Sequence, residues 1–351
     1  MNRRVLITGA NGLVGSYVVM ELLHRVANEN PKNEIHCITR NEAQREESQR
    51  FIAAQGISNI DIIYHTIDLE DFQAVRDVVQ KIKPDVVFHT AARVAVGEEN
   101  GSATGEKMVR TNVDITHFVC QTLLELRAEG LDPLLVHVSS VAALADSDPR
   151  GMIDHTTPFI DIVNASPYAR SKFLSQNDVL RAQKMGLRTV IICPSVIIGI
   201  HNKKSQMERM FGIIARGMKF YTPGAMGYVD VRDVARAMVE LSDNKQAENE
   251  IYCLNGKNLT FQEFFTIFGE PFGNNSPQRR IGERTLKTTV WLLDKWSKIT
   301  GTKPLITRQT ARHLTHKSRY DGSKIEATLP DFHYTLIENT AQYVAEKLRT
   351  I

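Results

Sequence analysis

The sequence predicts an α/β fold: a doubly wound parallel sheet with a smaller C-terminal lobe. Three observations carry this. Short apolar runs recur through the N-terminal half of the chain, and amphipathic, helix-like stretches separate them. The first run, VLIT (5–8), stops at a loop holding Gly9, Gly12 and Gly15, and a helix-like stretch follows at once. Continuous apolar runs suit strands covered on both faces. Their alternation with helices gives parallel strands joined by right-handed crossovers.

The elements follow in order. VLIT is the first strand and SYVVMELLHRV the first helix. EIHCITR (34–40) and IDIIYHTID (60–68) are the second and third strands. PDVVFHTAA (84–92) is the fourth, and a long helix is expected from about Met108 to Ala128. LLVHVSS (134–140) is the fifth strand, followed by an irregular stretch and a helix from about Pro167 to Met185. LRTVIICPS (187–195) is the sixth. No internal repeat or low-complexity tract interrupts the series.

Composition narrows the class. The chain has 351 residues, 42% hydrophobic and 24% charged, in the ordinary range of soluble enzymes. A net charge of +3 is too small to argue for nucleic acid or an anionic membrane. Cys37, Cys120, Cys193 and Cys253 form no CxxC pair and read as small buried hydrophobes in a reducing compartment. No metal site is expected. No apolar run approaches the ~20 residues that span a bilayer, and glycines interrupt any signal-like N-terminal run. A cytoplasmic protein acting on a small molecule is the expectation.

The glycine spacing has a chemical reading. Gly9 permits a tight turn, Gly12 lets a phosphate approach the backbone, and Gly15 lets the helix pack close to the strand. The helix N-terminus then offers unpaired N–H groups and partial positive charge to a pyrophosphate. A plain glycine-rich turn is the competing reading, but the strand–loop–helix context favours a Rossmann-type dinucleotide site.

Further motifs stand in a fixed order, and together they resemble the extended short-chain dehydrogenase/reductases, the NAD-dependent epimerase/dehydratase family. TGANGLVG (8–15) is similar to that family's fingerprint, which implies cofactor contacts at Gly9, Asn11, Gly12, Leu13, Val14 and Gly15. Asp68 and Leu69 resemble the pair that contacts adenine. HTAA (89–92) resembles a segment lining the cofactor, here Thr90, Ala91 and Ala92. Asn112 in TNVD stands where the family carries a structural and catalytic asparagine. VSSVAA (138–143) holds the serine, YARSK (168–172) the YxxxK motif, and CPSVIIG (193–199) brings Pro194 and Val196 to the cofactor. YVDVRDVARAM (228–238) is a further landmark. The resemblance covers nearly the whole chain. It implies a cofactor domain of residues 1–195 and about 228–254, and a substrate-binding lobe of about 196–227 and 255–351.

Tyr168 and Lys172 lie four apart on a helix and share one face. An ammonium beside a phenol favours phenolate, lowering a pKa that is ~10 when unperturbed and making the tyrosine a usable acid or base. Ser140 falls at the carboxyl end of the fifth strand, where ligands bind in open α/β sheets. Ser139 competes for its role. By resemblance, Asn112 orients a water on Lys172, and Tyr168 and Lys172 also touch the cofactor.

Arg40 closes the second strand, and no acidic residue closely precedes it. A guanidinium there suits a 2′-phosphate, so NADP(H) is favoured and NAD(H) is possible. Arg45 is a second cation nearby. Three departures from sugar-nucleotide enzymes bear on the substrate: Val141 and Ala142 replace an acidic pair, Cys193 and Ile198 replace Arg and Tyr, and Leu144 and Ala145 replace Tyr-Gly. CITRN, CPSVIIG, ITGTKPLIT (299–307) and YDGSKIEATLP (320–330) look closest to the dihydroflavonol-reductase-like group. The expected activity is NADP(H)-dependent reduction of a carbonyl, or oxidation of an alcohol, on a largely apolar small molecule. The alternatives are a sugar-nucleotide epimerase with tightly bound NAD, and a non-catalytic NADP sensor. HNKKS (201–205) reads as a solvated loop or a contact to an acidic substrate group, and TVWLLDKW (289–296) as lobe packing. A homodimer is expected through the two long helices, on a stripe of Val109, Val113, Thr116, Val119 and Leu123.

Overall fold

The computed structural model describes residues 3–26, 33–56, 62–94, 102–145, 148–159, 161–163, 165–201, 206–282, 285 and 314–350. TVWLLDKW, ITGTKPLIT and residues 202–205 of HNKKS lie outside the described residues.

The first half alternates as expected: β1 (Arg3–Thr8), α1 (Leu13–Val26), β2 (Asn33–Thr39), α2 (Glu42–Ala53), β3 (Ile62–Thr66), α3 (Phe72–Ile82), β4 (Val86–His89), α4 (Ala103–Ala128), β5 (Leu134–Val138), α5 (Pro167–Lys184) and β6 (Arg188–Pro194). There follow β7 (Val196–Ile198), α6 (Gln206–Ala215), β8 (Phe220–Tyr221), β9 (Ala225–Asp230), α7 (Val231–Asp243), β10 (Glu250–Leu254), β11 (Lys257–Thr260), α8 (Phe261–Gly269) and β12 (Arg279–Arg280). Two described helices close the chain, α9 (Lys324–Thr328) and α10 (Ile337–Thr350).

The main sheet has the order β3-β2-β1-β4-β5-β6-β10, and every neighbouring pair is parallel. The order reverses between β1 and β4, and a ligand-binding crevice forms at such a switch point, beyond the carboxyl ends of the strands. The six anticipated strands are present, and β10 adds a seventh. The apolar runs are continuous because both faces are covered. Val5, Ile7 and Val136 join one core with α1 and α7, while Leu6, Val87 and Leu135 join the other with α3, α4 and α5.

Side-chain caps set the helix starts. Asn41 accepts from Gln44 N, Asp71 from Ala74 N, and Ser166 from Ala169 N ahead of Pro167. Ser102 caps α4 through Gly105 N, so that helix begins a turn earlier than the apolar pattern suggests. The anticipated dimer stripe faces inward. Val109, Thr116, Val119 and Leu123 are buried against the chain's own sheet and neighbouring helices, and Val113 is half-buried.

A second, three-stranded sheet joins β7 parallel to β9 and β11 antiparallel to β9. Phe211, Phe264, Phe268 and Tyr228 form its core, and Ile337, Ala341 and Val344 of α10 pack into it. Ile325 and Phe332, by contrast, join the core of the main sheet, and Lys324 Nζ donates to Glu250 Oε2 at 2.6 Å on the edge strand β10.

Candidate active site

The glycine loop between β1 and α1 is built by close approach. Gly9 has φ of 72°, and a Cβ there would lie 2.8 Å from the backbone N of Ala91. A Cβ on Gly15 would lie 2.7 Å from Thr90 Oγ1. Thr90 Oγ1 donates to Thr8 O at 2.7 Å, which presses the segment after β4 onto the loop. Gly12 N donates to Gly9 O at 2.9 Å and closes the turn. Leu13 and Val14 open α1, half-buried against the core. The first turn of α1 carries no acidic side chain to compete with an anion for its N–H groups.

A cleft opens along this loop. Gly9, Asn11 and Gly12 line it, with Arg40 and Gln44 from after β2 and Asp68, Leu69 and Glu70 from after β3. Thr90, Ala91, Ala92 and Arg93 face them, with Thr111 and Ile115 of α4 behind. The cleft thus joins the backbone of the glycine loop, at the start of α1, to charged side chains from the loops after β2, β3 and β4. Pro194 and Val196 are not among the residues lining this cleft. Pro194 pairs with Leu254 at the end of β6, and Val196 is half-buried against the second core.

Arg40 has an acidic neighbour that the second strand does not supply. Its Nε lies 3.9 Å from Asp68 Oδ1, on the loop after β3. Both side chains are about half exposed, so solvent screens the pair to ~0–1 kcal/mol. Arg45 pairs with Glu42 at 3.2 Å and lies over the Tyr64 ring.

The proposed catalytic groups meet at the carboxyl end of β5. Ser140 Oγ accepts from Ala142 N at 3.1 Å, capping a single 3-10 turn (Val141–Ala143), and lies beside the Tyr168 side chain. Ser139 points the other way and donates to Gln176 Oε1 at 2.6 Å in the interior. Of the two serines, Ser140 is the one beside Tyr168. Lys172 is buried, and its Nζ donates to Val138 O at 2.8 Å. Burial pushes its pKa down to about 8.

The sequence-based expectation for Tyr168 is corrected here. Burial raises its phenol above the ordinary value, and the neighbouring Ser140 hydroxyl offsets part of that rise. Lys172 has its ammonium turned onto the Val138 carbonyl rather than onto the phenol. Asn112 is a junction. Its Oδ1 accepts from Arg93 N at 2.7 Å, and its Nδ2 donates to Arg93 O at 3.0 Å and Ser171 Oγ at 3.1 Å. Its carbonyl accepts from Thr116 and Ser175.

Sequence reasoning missed two buried histidines near Lys172. His89 binds Thr8 Oγ1 at 2.7 Å and Thr116 Oγ1 at 3.1 Å, and burial holds it neutral, with a pKa of about 3. His137 stacks on it from the adjacent strand. It also missed Glu70, Arg93 and Thr111 in the cleft, because no local pattern marks them.

The three substrate departures do not all bear on a pocket. Val141 and Ala142 border Ser140, half-buried. Leu144 and Ala145 are buried, Cys193 is fully buried beside Gln176, and Ile198 is fully buried in the second core. Side chains at those four positions pack the interior rather than front a ligand.

Comparison with known proteins gives the same picture at the level of kinship. A sequence model described as the NAD dependent epimerase/dehydratase family matches residues 5–254. The chain is 26% identical over 291 residues to "Sterol demethylase protein B" of Methylococcus capsulatus, covering 82% of this chain and 80% of that protein. It is 19% identical over 269 residues to "Sterol-4-alpha-carboxylate 3-dehydrogenase, decarboxylating" of Dictyostelium discoideum, covering 75% of each. The solved structure of Bordetella bronchiseptica WbmH in complex with NAD+ superposes with a TM-score of 0.72 at 18% identity, over 99% of both chains.

Proposed function

From the premise that the chain belongs to the NAD dependent epimerase/dehydratase family, and so to the extended NAD(P)-dependent oxidoreductases, we propose that it moves a hydride between NADP(H) and a carbonyl or secondary alcohol on a largely apolar small molecule. The observation carrying this is the placement of the Tyr168 phenol beside Ser140 just past the carboxyl end of β5, with Lys172 one helical turn on.

The cofactor supplies or accepts the hydride. Gly9, Asn11, Gly12, Leu13, Val14 and Gly15 would hold its pyrophosphate side, Asp68 and Leu69 its adenine side, and Arg40 its 2′-phosphate. In reduction, Ser140 and Tyr168 both hydrogen-bond the carbonyl oxygen. Tyr168 delivers its proton there as negative charge develops. Burial keeps the phenol protonated but makes the proton harder to give up, so donation depends on a cation meeting the phenolate. With the cofactor bound, Lys172 would be the cation available to hold the nicotinamide ribose and to stabilise the phenolate. The two sterol-named relatives support a polycyclic alcohol or ketone as the substrate class.

A second reading, an epimerase with resident NAD, is favoured by Asp68 beside Arg40, since a carboxylate at the ribose edge suits a free 2′-hydroxyl. A panel of carbonyl compounds read by NADPH oxidation tests the first reading. Purified protein that retains oxidised NAD and never consumes NADPH would favour the second.

Residues 1–195 and about 228–254 form the cofactor domain in this proposal, and about 196–227 and 255–351 the substrate lobe. A homodimer would use the outward seam of α4 and α5 near Val113, His117 and Leu174. Four free, buried cysteines suit the cytoplasm. Among the described residues no helix is long and apolar enough to cross a membrane.

A further inference from the structure

Glu70 closes a ring of four residues beside the cofactor cleft. Its Oε1 accepts from Arg93 Nη2 at 2.5 Å, and its Oε2 accepts from Thr111 Oγ1 at 3.1 Å. Asn112, next to Thr111 on α4, grips Arg93 from behind, with one hydrogen bond to its backbone N and one to its carbonyl. A spur leaves the ring. Asn112 Nδ2 donates to Ser171 Oγ at 3.1 Å, and Ser171 Oγ donates to the carbonyl of Tyr168 at 2.8 Å. The path thus starts on the loop after β3, crosses the loop after β4 and α4, and ends on the backbone of the residue that carries the proton.

The ring faces the cleft, since Glu70, Arg93 and Thr111 all line it. The Glu70 and Arg93 side chains are 36% and 39% exposed, so their attraction is screened and adds little to stability. What remains is geometric. Each Glu70 oxygen is committed to a different segment, so the carboxylate fixes the spacing between the loop after β4 and α4. That spacing decides where the Asn112 amide points, and the amide decides where Ser171 meets α5.

We propose that Glu70 is a positioning residue for Tyr168, acting through Arg93, Asn112 and Ser171. The inference rests on Tyr168 as proton donor and adds a coupling between the adenine end of the cleft and the helix that carries it. Misplacement of a reacting group by about 1 Å can cost on the order of 10²-fold in rate, so a partial loosening has a measurable effect.

The test uses the full chain with Glu70→Ala, Glu70→Gln and Thr111→Val. One arm needs no substrate: amide hydrogen exchange of residues 169–173 in the free protein, which should quicken in Glu70→Ala and less in Glu70→Gln. The other arm is turnover. In Glu70→Ala, kcat should fall about tenfold at saturating NADPH, a loss that added cofactor does not repair. Thr111→Val should give a smaller loss of the same kind. If Glu70→Ala raises only the cofactor KM, or leaves exchange at 169–173 unchanged, Glu70 is a cleft residue and the proposal is overturned. Should Glu70→Ala fail to fold, Glu70→Gln decides by the same criteria. A wild-type protein without turnover on any carbonyl sinks the Tyr168 reading instead, and the exchange arm still judges the ring.

Discussion

Lys172 Nζ donates a 2.8 Å hydrogen bond to the carbonyl oxygen of Val138, so the lysine one turn beyond Tyr168 is anchored to the last residue of β5, two residues before Ser140. The bond ties helix α5 to strand β5 at the point where the chemistry is placed. It also buries an ammonium.

That burial predicts a pH dependence of stability. The Lys172 pKa is pushed down to about 8, whereas a lysine in the unfolded chain titrates near ~10.4. Between those values the unfolded chain binds more protons, so this group makes stability rise with pH across the window and lowers stability below it. Urea unfolding of wild type and Lys172→Met at pH 7, 8, 9 and 10 isolates the group. The wild-type minus variant difference should climb from pH 8 to pH 10; a flat difference contradicts the assignment.

The two serines should behave differently. Tyr168→Phe and Ser140→Ala should lower turnover by roughly 10²–10⁴ while leaving NADPH binding near wild type. Ser139→Ala should keep turnover and lose about 1 kcal/mol of stability, because it removes a buried bond to Gln176. Steady-state kinetics alongside thermal melting separates the outcomes. Near-normal turnover in Tyr168→Phe would remove the proton-donor role.

Cofactor choice should turn on Arg40 and its partner. Arg40→Ala should weaken NADPH binding by roughly 1.5–3 kcal/mol and NADH binding far less. Asp68→Asn frees Arg40 from its 3.9 Å neighbour, so NADPH affinity should hold or improve. Titration calorimetry with both cofactors reads this directly, and equal losses for the two in Arg40→Ala would exclude a 2′-phosphate contact.

Gly9→Ala should damage the loop twice over. Its backbone sits at φ of 72°, which costs an L residue about 1–2 kcal/mol, and its Cβ would strike Ala91. Both thermal stability and affinity for either cofactor should fall. A variant that binds normally would show that the loop has room the close contacts deny.

The strands were legible because their runs are apolar without interruption, as parallel strands covered on both faces must be. β10 was not: Glu250–Leu254 is short, begins with an exposed glutamate, and reaches the sheet only at its edge. Tyr168, Lys172 and the glycines could be read from spacing, which is local geometry. Ser139 and Ser140 could not be separated that way, since both lie just past the end of β5 and only the packed helix α5 shows that Ser139 turns to Gln176. Asp68 against Arg40, and Glu70 against Arg93, come from loops after different strands. Such pairs exist only once the sheet order is set.

Ile325 and Phe332 reach back into the core of a sheet whose first strand begins at Arg3. This has a consequence for biosynthesis. While the ribosome works through the later segments, the early strands wait with part of their apolar cover still untranslated. A chain stalled before Phe332 would present that uncovered face to chaperones and proteases, although every residue of the glycine loop and the YxxxK motif had already been made.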